Sequence, residues 1–124
     1  MTRIIRIDQH GGPEVLRPAV HDLPPPGPHE VRLRQTAAGV NFHDIYVRSG
    51  QYSTLALPGV PGLDGAGIVE EVGEWVDSLR PGDRVGYVDP RYGGYAEARN
   101  LDAKLAVKLP SQLSDAQAAA SMMK

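Results

Sequence analysis

A chain of 124 residues with 41% hydrophobic content has room for one domain and one core, with at most a tail. Its 13 Lys and Arg against 15 Asp and Glu leave a formal charge of −2 and no run of five like charges, which disfavours an electrostatic grip on nucleic acid or an anionic membrane. Cysteine is absent, which excludes disulfides, thiolate catalysis and cysteine-ligated metal sites.

Gly 14 and Pro 11 together make about a fifth of the chain, against roughly 12% in average usage, so short strands joined by turns are expected. Residues 4–8 are rich in β-branched side chains and predict a first strand. His10-Gly11-Gly12-Pro13 is a turn, and residues 15–21 return as a second strand. Residues 23–28 read Leu-Pro-Pro-Pro-Gly-Pro, an extended connector, because proline fixes φ and lacks a donor.

Residues 31–34 alternate apolar and charged, the pattern of a half-buried strand, and the strand runs on through residues 37–40. Asn41 then predicts the cap of a short helix over 42–48, which Ser49-Gly50 stops. At helical spacing Phe42, Ile45 and Tyr46 share a face. A Pro/Gly loop follows from 52 to 62. Further strands are predicted at 68–73, 84–88, 95–98 and 106–109, the first entered through Gly65 and Gly67. Ser114 caps a second helix over 116–123. About seven short strands and two helices predict a mainly β (α+β) fold, a small barrel or sandwich with helical plugs.

The chain starts Met1-Thr2-Arg3 and goes straight into Ile4-Ile5, too short an apolar run for a secretory signal. Residues 49–63, the longest uncharged stretch, carry five Gly and Pro and cannot form a spanning helix. A cytoplasmic protein is expected. The glycine-rich stretch 59–67 fails as a phosphate loop: Pro61 removes a donor, Asp64 adds negative charge, and a strand follows where a helix N-terminus is needed.

That same region carries the strongest pattern, Gly62-Leu63-Asp64 with Gly67 three residues on and Gly73 six beyond that. It is similar to the signature of the medium-chain dehydrogenase/reductase superfamily. Six further segments agree in order and spacing: residues 11–16, 39–50, 82–85, 94–97, 108–110 and 118–120. Together they resemble the zinc-free, zeta-crystallin-like quinone oxidoreductase branch. The resemblance implies a GroES-like, partially open β-barrel over residues 1–113. It implies that residues 114–124 begin the helix leading to a Rossmann domain, whose G-x-G-x-x-G is absent here.

The resemblance also bears on metal and site. The zinc alcohol dehydrogenases have a catalytic Cys where Asn41 stands and a His where Leu63 stands. Neither substitute is a usual zinc ligand, so no metal is expected. The residues matching Asn41 and Tyr46 lie beside the nicotinamide in the quinone oxidoreductases, and the tyrosine matching Tyr52 is near the substrate entrance. A phenol carries its proton at neutral pH and donates to a developing oxyanion. Tyr46 and Tyr52 are therefore the candidate catalytic residues. Asn41, Tyr46 and Lys124, a lysine of the domain junction, are the candidate cofactor-binding residues.

Each of these has a plainer reading: a cap for Asn41, core for Tyr46, a surface aromatic for Tyr52, a terminal side chain for Lys124. His43 and Asp44 are adjacent on a helix and do not face each other, so His43 reads as solvated surface or a local cap. Asp64 reads as a partner for turn amides.

The implied activity is NADPH-dependent reduction of a quinone or enone, with this chain as the substrate-side half and inactive alone. The implied whole protein is a homodimer with no nucleic-acid or membrane partner. An enoyl reductase domain acting on acyl thioesters and a catalytically silent GroES-like association module are the alternatives.

Overall fold

The computed structural model describes residues 1–122. The alternation at 31–34 becomes the long strand β3, Glu30–Ala38, in which Val31 and Leu33 are fully buried and Arg34 is exposed. β3 lies antiparallel between β6 (Ala98–Asp102) and β4 (Asp64–Val72). β4 passes on to β5 (Arg84–Val88), and β5 to the two-residue β7 (Val107–Lys108). The β3–β4 register shifts twice, between Arg32 and Leu33 and between Gln35 and Ala37. Such bulges bend a strand and sharpen its twist, which curls a sheet toward a barrel.

β1 (Thr2–Arg6) and β2 (Arg17–His21) form a separate antiparallel pair. Single bridges from Ile4 to Ala96 and from Ile7 to Gly59 tie that pair to the rest. The sheets stay open, so the mainly β, GroES-like partially open barrel with two short helices is what is observed.

The barrel core is Val31, Leu33, Val69, Leu79, Val85, Tyr87 and Leu101. Burying each such side chain contributes about 1.5–3 kcal/mol. The Tyr87 hydroxyl donates to Gln35 Oε1, and Gln35 Nε2 donates to the carbonyls of Gly94 and Ala96 at 2.8 and 2.9 Å. One glutamine thus satisfies the core phenol and holds the segment that leads into β6.

The boundaries differ from expectation in instructive places. The first strand sits two residues earlier than predicted. The second begins only after a 3-10 turn at Pro13–Val15, which the proline at its first position favours. The strand predicted at 95–98 starts at Ala98. Residues 95–97 are shared instead: Ile5 N–H donates to Tyr95 O, Glu97 N–H to Arg3 O and Gln35 N–H to Glu97 O, each within 2.8–2.9 Å.

Helix α2, Asp115–Ser121, has the predicted serine cap. Ser114 Oγ accepts from Gln117 N–H, and Gln117 Oε1 accepts from Ser114 N–H, a reciprocal capping box. Asp115 fastens the helix to the sheet. Its carboxylate accepts from Arg84 Nη2 at 2.7 Å and from Thr36 Oγ1 at 2.8 Å. Those two hydrogen bonds, Thr36 first, hold the Asp115 carboxyl below its usual range.

Candidate functional site

Helix α1, Phe42–Ser49, begins where expected. Asn41 is its N-cap, and Asp44 Oδ2 accepts from Asn41 N–H at 2.9 Å. Gly50 closes the helix in the left-handed region at φ 87°, its N–H donating to Val47 O. Glycine enters that region at little cost, which is why it ends so many helices.

The orientation of α1 corrects the apolar face predicted from spacing. Phe42 is 78% exposed and Ile45 40%. Asp44 and Val47 point inward instead. Val47 packs with Leu63, Tyr92 and Leu55 in a second small core. The apolar stripe of this helix therefore faces away from the domain's own interior.

Tyr46 and Tyr52 come together. Their ring centroids are 5.2 Å apart, and Tyr52 N–H donates to Tyr46 O at 3.0 Å. The His43 ring centroid lies 5.1 Å from that of Tyr52 and 5.9 Å from that of Tyr92. His43 Nε2 is 3.0 Å from the Tyr92 hydroxyl, which also hydrogen-bonds Thr54 Oγ1. His43 is thus half-buried and bonded across 49 residues of chain, a correction to its reading as solvated surface or a local cap. Lys124 lies outside the described residues.

Two buried carboxylates sit behind the start of α1. Asp64, 1% exposed, accepts from Asn41 Nδ2 at 2.9 Å. Asp44, 5% exposed, accepts from the Tyr95 hydroxyl at 2.8 Å. Burial, together with that bond to Asp44, pushes the Tyr95 phenol well above its usual range, so it remains a donor. Sequence reasoning missed Tyr92 and Tyr95. Their partners lie about fifty residues away, and nothing in the local pattern points to them.

Beside Asn41 a hollow of about 440 Å³ opens between the end of β3 and α2. Most of its walls are small, Gly39 and alanines of β3 and α2, with Val40 beside Asn41. A Cβ on Gly39 would collide with the Asp64 carboxylate and lie 2.8 Å from Ala119 O. Only glycine lets the strand pass so close to the helix.

A zinc ion does not fit these residues. Leu63 is 4% exposed inside the Val47–Tyr92 cluster, and the Asn41 amide is occupied by Asp64. Among the described residues no group of three His, Cys, Asp or Glu is placed to hold a metal ion.

Residues 27–111 match the family described as Alcohol dehydrogenase GroES-like domain. A quinone oxidoreductase of Salmonella typhimurium is 41% identical over all 124 residues. A mycocerosic acid synthase-like polyketide synthase of Mycobacterium tuberculosis is 43% identical over 118 residues, 94% of this chain and 6% of that protein. The structure of Escherichia coli quinone oxidoreductase complexed with NADPH superposes with a TM-score of 0.92 at 41% identity, over 98% of this chain and 37% of that one. The chain spans 38% of the length of the Salmonella relative.

Proposed function

The chain belongs to the alcohol dehydrogenase GroES-like domain family, and from that premise we propose that it is the acceptor-side half of a zinc-independent, NADPH-dependent quinone oxidoreductase. The observation that carries the reading is the Tyr46–Tyr52 ring pair, held by a main-chain hydrogen bond on the helix that Asn41 begins. Aromatic faces and phenol donors are what a flat carbonyl acceptor requires. The small-walled hollow at Asn41 supports a nicotinamide end of the cofactor there, with Asn41 orienting it and Asp64 orienting Asn41. NADPH, when bound, supplies the hydride. Tyr46 and Tyr52 donate to the acceptor oxygen as its negative charge develops.

The exposed Phe42 and Ile45 support a second, nucleotide-binding domain that covers them. Its glycine turn would hold the pyrophosphate. This half alone is then inactive and binds NADPH weakly. The intact protein is proposed to be a cytoplasmic homodimer that takes a small quinone or enone and no nucleic acid or membrane. Among the described residues no helix is long and apolar enough to cross a membrane.

An enoyl reductase domain is the second reading, favoured by the 43% identity to a polyketide synthase. The silent association module predicts no turnover of any kind. Assaying the intact protein with NADPH against naphthoquinone and an acyl-thioester enone separates the three. Quinone turnover is expected. Turnover of the thioester alone selects the second reading, and turnover of neither sinks both.

A further inference from the structure

The hydrogen-bonded chain of His43, Tyr92 and Thr54 has no part in the chemistry proposed above. We propose that His43 and Tyr92 are positioning residues that hold the Tyr52 ring against Tyr46. This deepens the quinone oxidoreductase reading and rests on it for the role of Tyr52.

Tyr52 is 41% exposed on a loop rich in glycine and proline, so its ring needs support from outside that loop. The His43 ring contacts both the Tyr52 and the Tyr92 rings. The Tyr92 hydroxyl meets His43 on α1 and Thr54 on the loop, two residues beyond Tyr52. A single phenol oxygen therefore ties the loop to the helix that carries Tyr46.

The backbone of Tyr92 is the second observation. Its φ is 72°, in the left-handed region, where a side chain with a Cβ is disfavoured and glycine is at ease. The neighbouring chain enforces that conformation. Tyr92 N–H donates to Asp89 O at 3.0 Å, and Gly93 N–H to Val60 O at 2.9 Å. Asp89 is itself fully buried and held by Arg91 N–H and Arg99 Nη2. Glycine at 92 would relax the turn and leave no hydroxyl between His43 and Thr54. Strain of this kind persists where its product is used.

The proton count supports a clamp that does not fail. A phenol has one proton and accepts as well. The order Thr54 to Tyr92 to His43 satisfies all three atoms, and so does the reverse order. The tie therefore survives either imidazole tautomer.

The test uses the intact protein, labelled with fluorotyrosine for fluorine NMR and assayed with naphthoquinone. Tyr92→Phe removes one oxygen and keeps the ring. It is expected to broaden the Tyr52 resonance and leave that of Tyr95 unchanged. It is also expected to lower kcat for naphthoquinone about three- to five-fold with KM changed by less than about two-fold, because Tyr52 acts on charge that develops only in the transition state. His43→Leu should act alike, and His43→Gln, which keeps an amide near Nε2, should recover most of the loss. In a Tyr52→Ala background Tyr92→Phe should change nothing further. An unaltered Tyr52 resonance in Tyr92→Phe and His43→Leu overturns the proposal. So does a kcat effect that persists without Tyr52. If the resonance responds while the unaltered protein reduces no quinone, the clamp stands and the quinone reading fails.

Discussion

Asn41 Nδ2 donates to Asp64 Oδ1 at 2.9 Å, joining the N-cap of α1 to the first residue of β4. The bond orients the amide and compensates a carboxylate that is 1% exposed. Asn41→Ala removes both the helix cap and this donor. The expected loss is about 2–3 kcal/mol, more than the ~1 kcal/mol of a cap alone, because a hydrogen bond to a charged group goes with it. Urea unfolding measures it. A loss no larger than a cap would mean that Asp64 does not depend on Asn41.

Tyr46→Phe keeps the ring contact with Tyr52 and removes one hydroxyl. For quinone reduction by the intact protein, kcat/KM is expected to fall roughly ten- to a hundred-fold, as for one hydrogen bond to developing charge. Tyr52→Phe should do less, since its ring is 41% exposed and solvent reaches it. If both changes, singly and together, leave the rate unaltered, the tyrosines only pack.

Asp89 predicts a response to acid. Burial opposes its charge, but hydrogen bonds from the Arg91 side chain and backbone, with the Arg99 charge, outweigh burial and hold the carboxyl below its ordinary 3.8. A group that binds its proton more weakly when folded stabilises the fold above the unfolded value. That contribution is lost as pH falls through the lower folded value. Stability should therefore drop below about pH 4, and Asp89→Asn should flatten part of the drop. A carboxyl titration by NMR with its midpoint at or above the ordinary value would refute this.

Gly62 and Gly82 separate strain from crowding. Both lie at positive φ, 101° and 97°. A Cβ on Gly82 meets nothing within 4 Å, whereas one on Gly62 falls 2.9 Å from Gly94 Cα and Tyr95 N. Gly82→Ala should cost about 1–2 kcal/mol, the left-handed penalty alone. Gly62→Ala adds overpacking of about 1–3 kcal/mol and displaces Tyr95, the donor to Asp44. Equal melting temperatures for the two variants would contradict the crowding at Gly62.

The sequence was most legible where the deciding interaction is local. Asn41, Gly50 and Ser114 mark helix ends by their own chemistry, and residues 84–88 form a strand over the predicted span. It was least legible where a partner lies far along the chain. The strand predicted at 95–98 moved because those residues divide their hydrogen bonds between β1 and β3. The spacing of Phe42, Ile45 and Tyr46 identified a stripe, but periodicity does not say what the stripe meets. His43 finds Tyr92 only through a backbone conformation at residue 92 that composition does not announce.

The sharing of residues 95–97 between β1 and β3 also governs the order of assembly. Glu97 N–H donates to Arg3 O, a closure across 94 residues. The β1–β2 hairpin can form early, because its partners are near in sequence, and Ile7 can bridge to Gly59 soon after, yet Ile4 has no partner outside the hairpin until residues 95–97 have emerged from the ribosome. Contacts of such long separation slow folding, since loop entropy is spent before the contact returns anything. Ile4, on the hairpin's apolar edge, waits uncovered until those residues are made. Newly made chains are therefore most vulnerable to chaperone capture and aggregation at their N-terminal end.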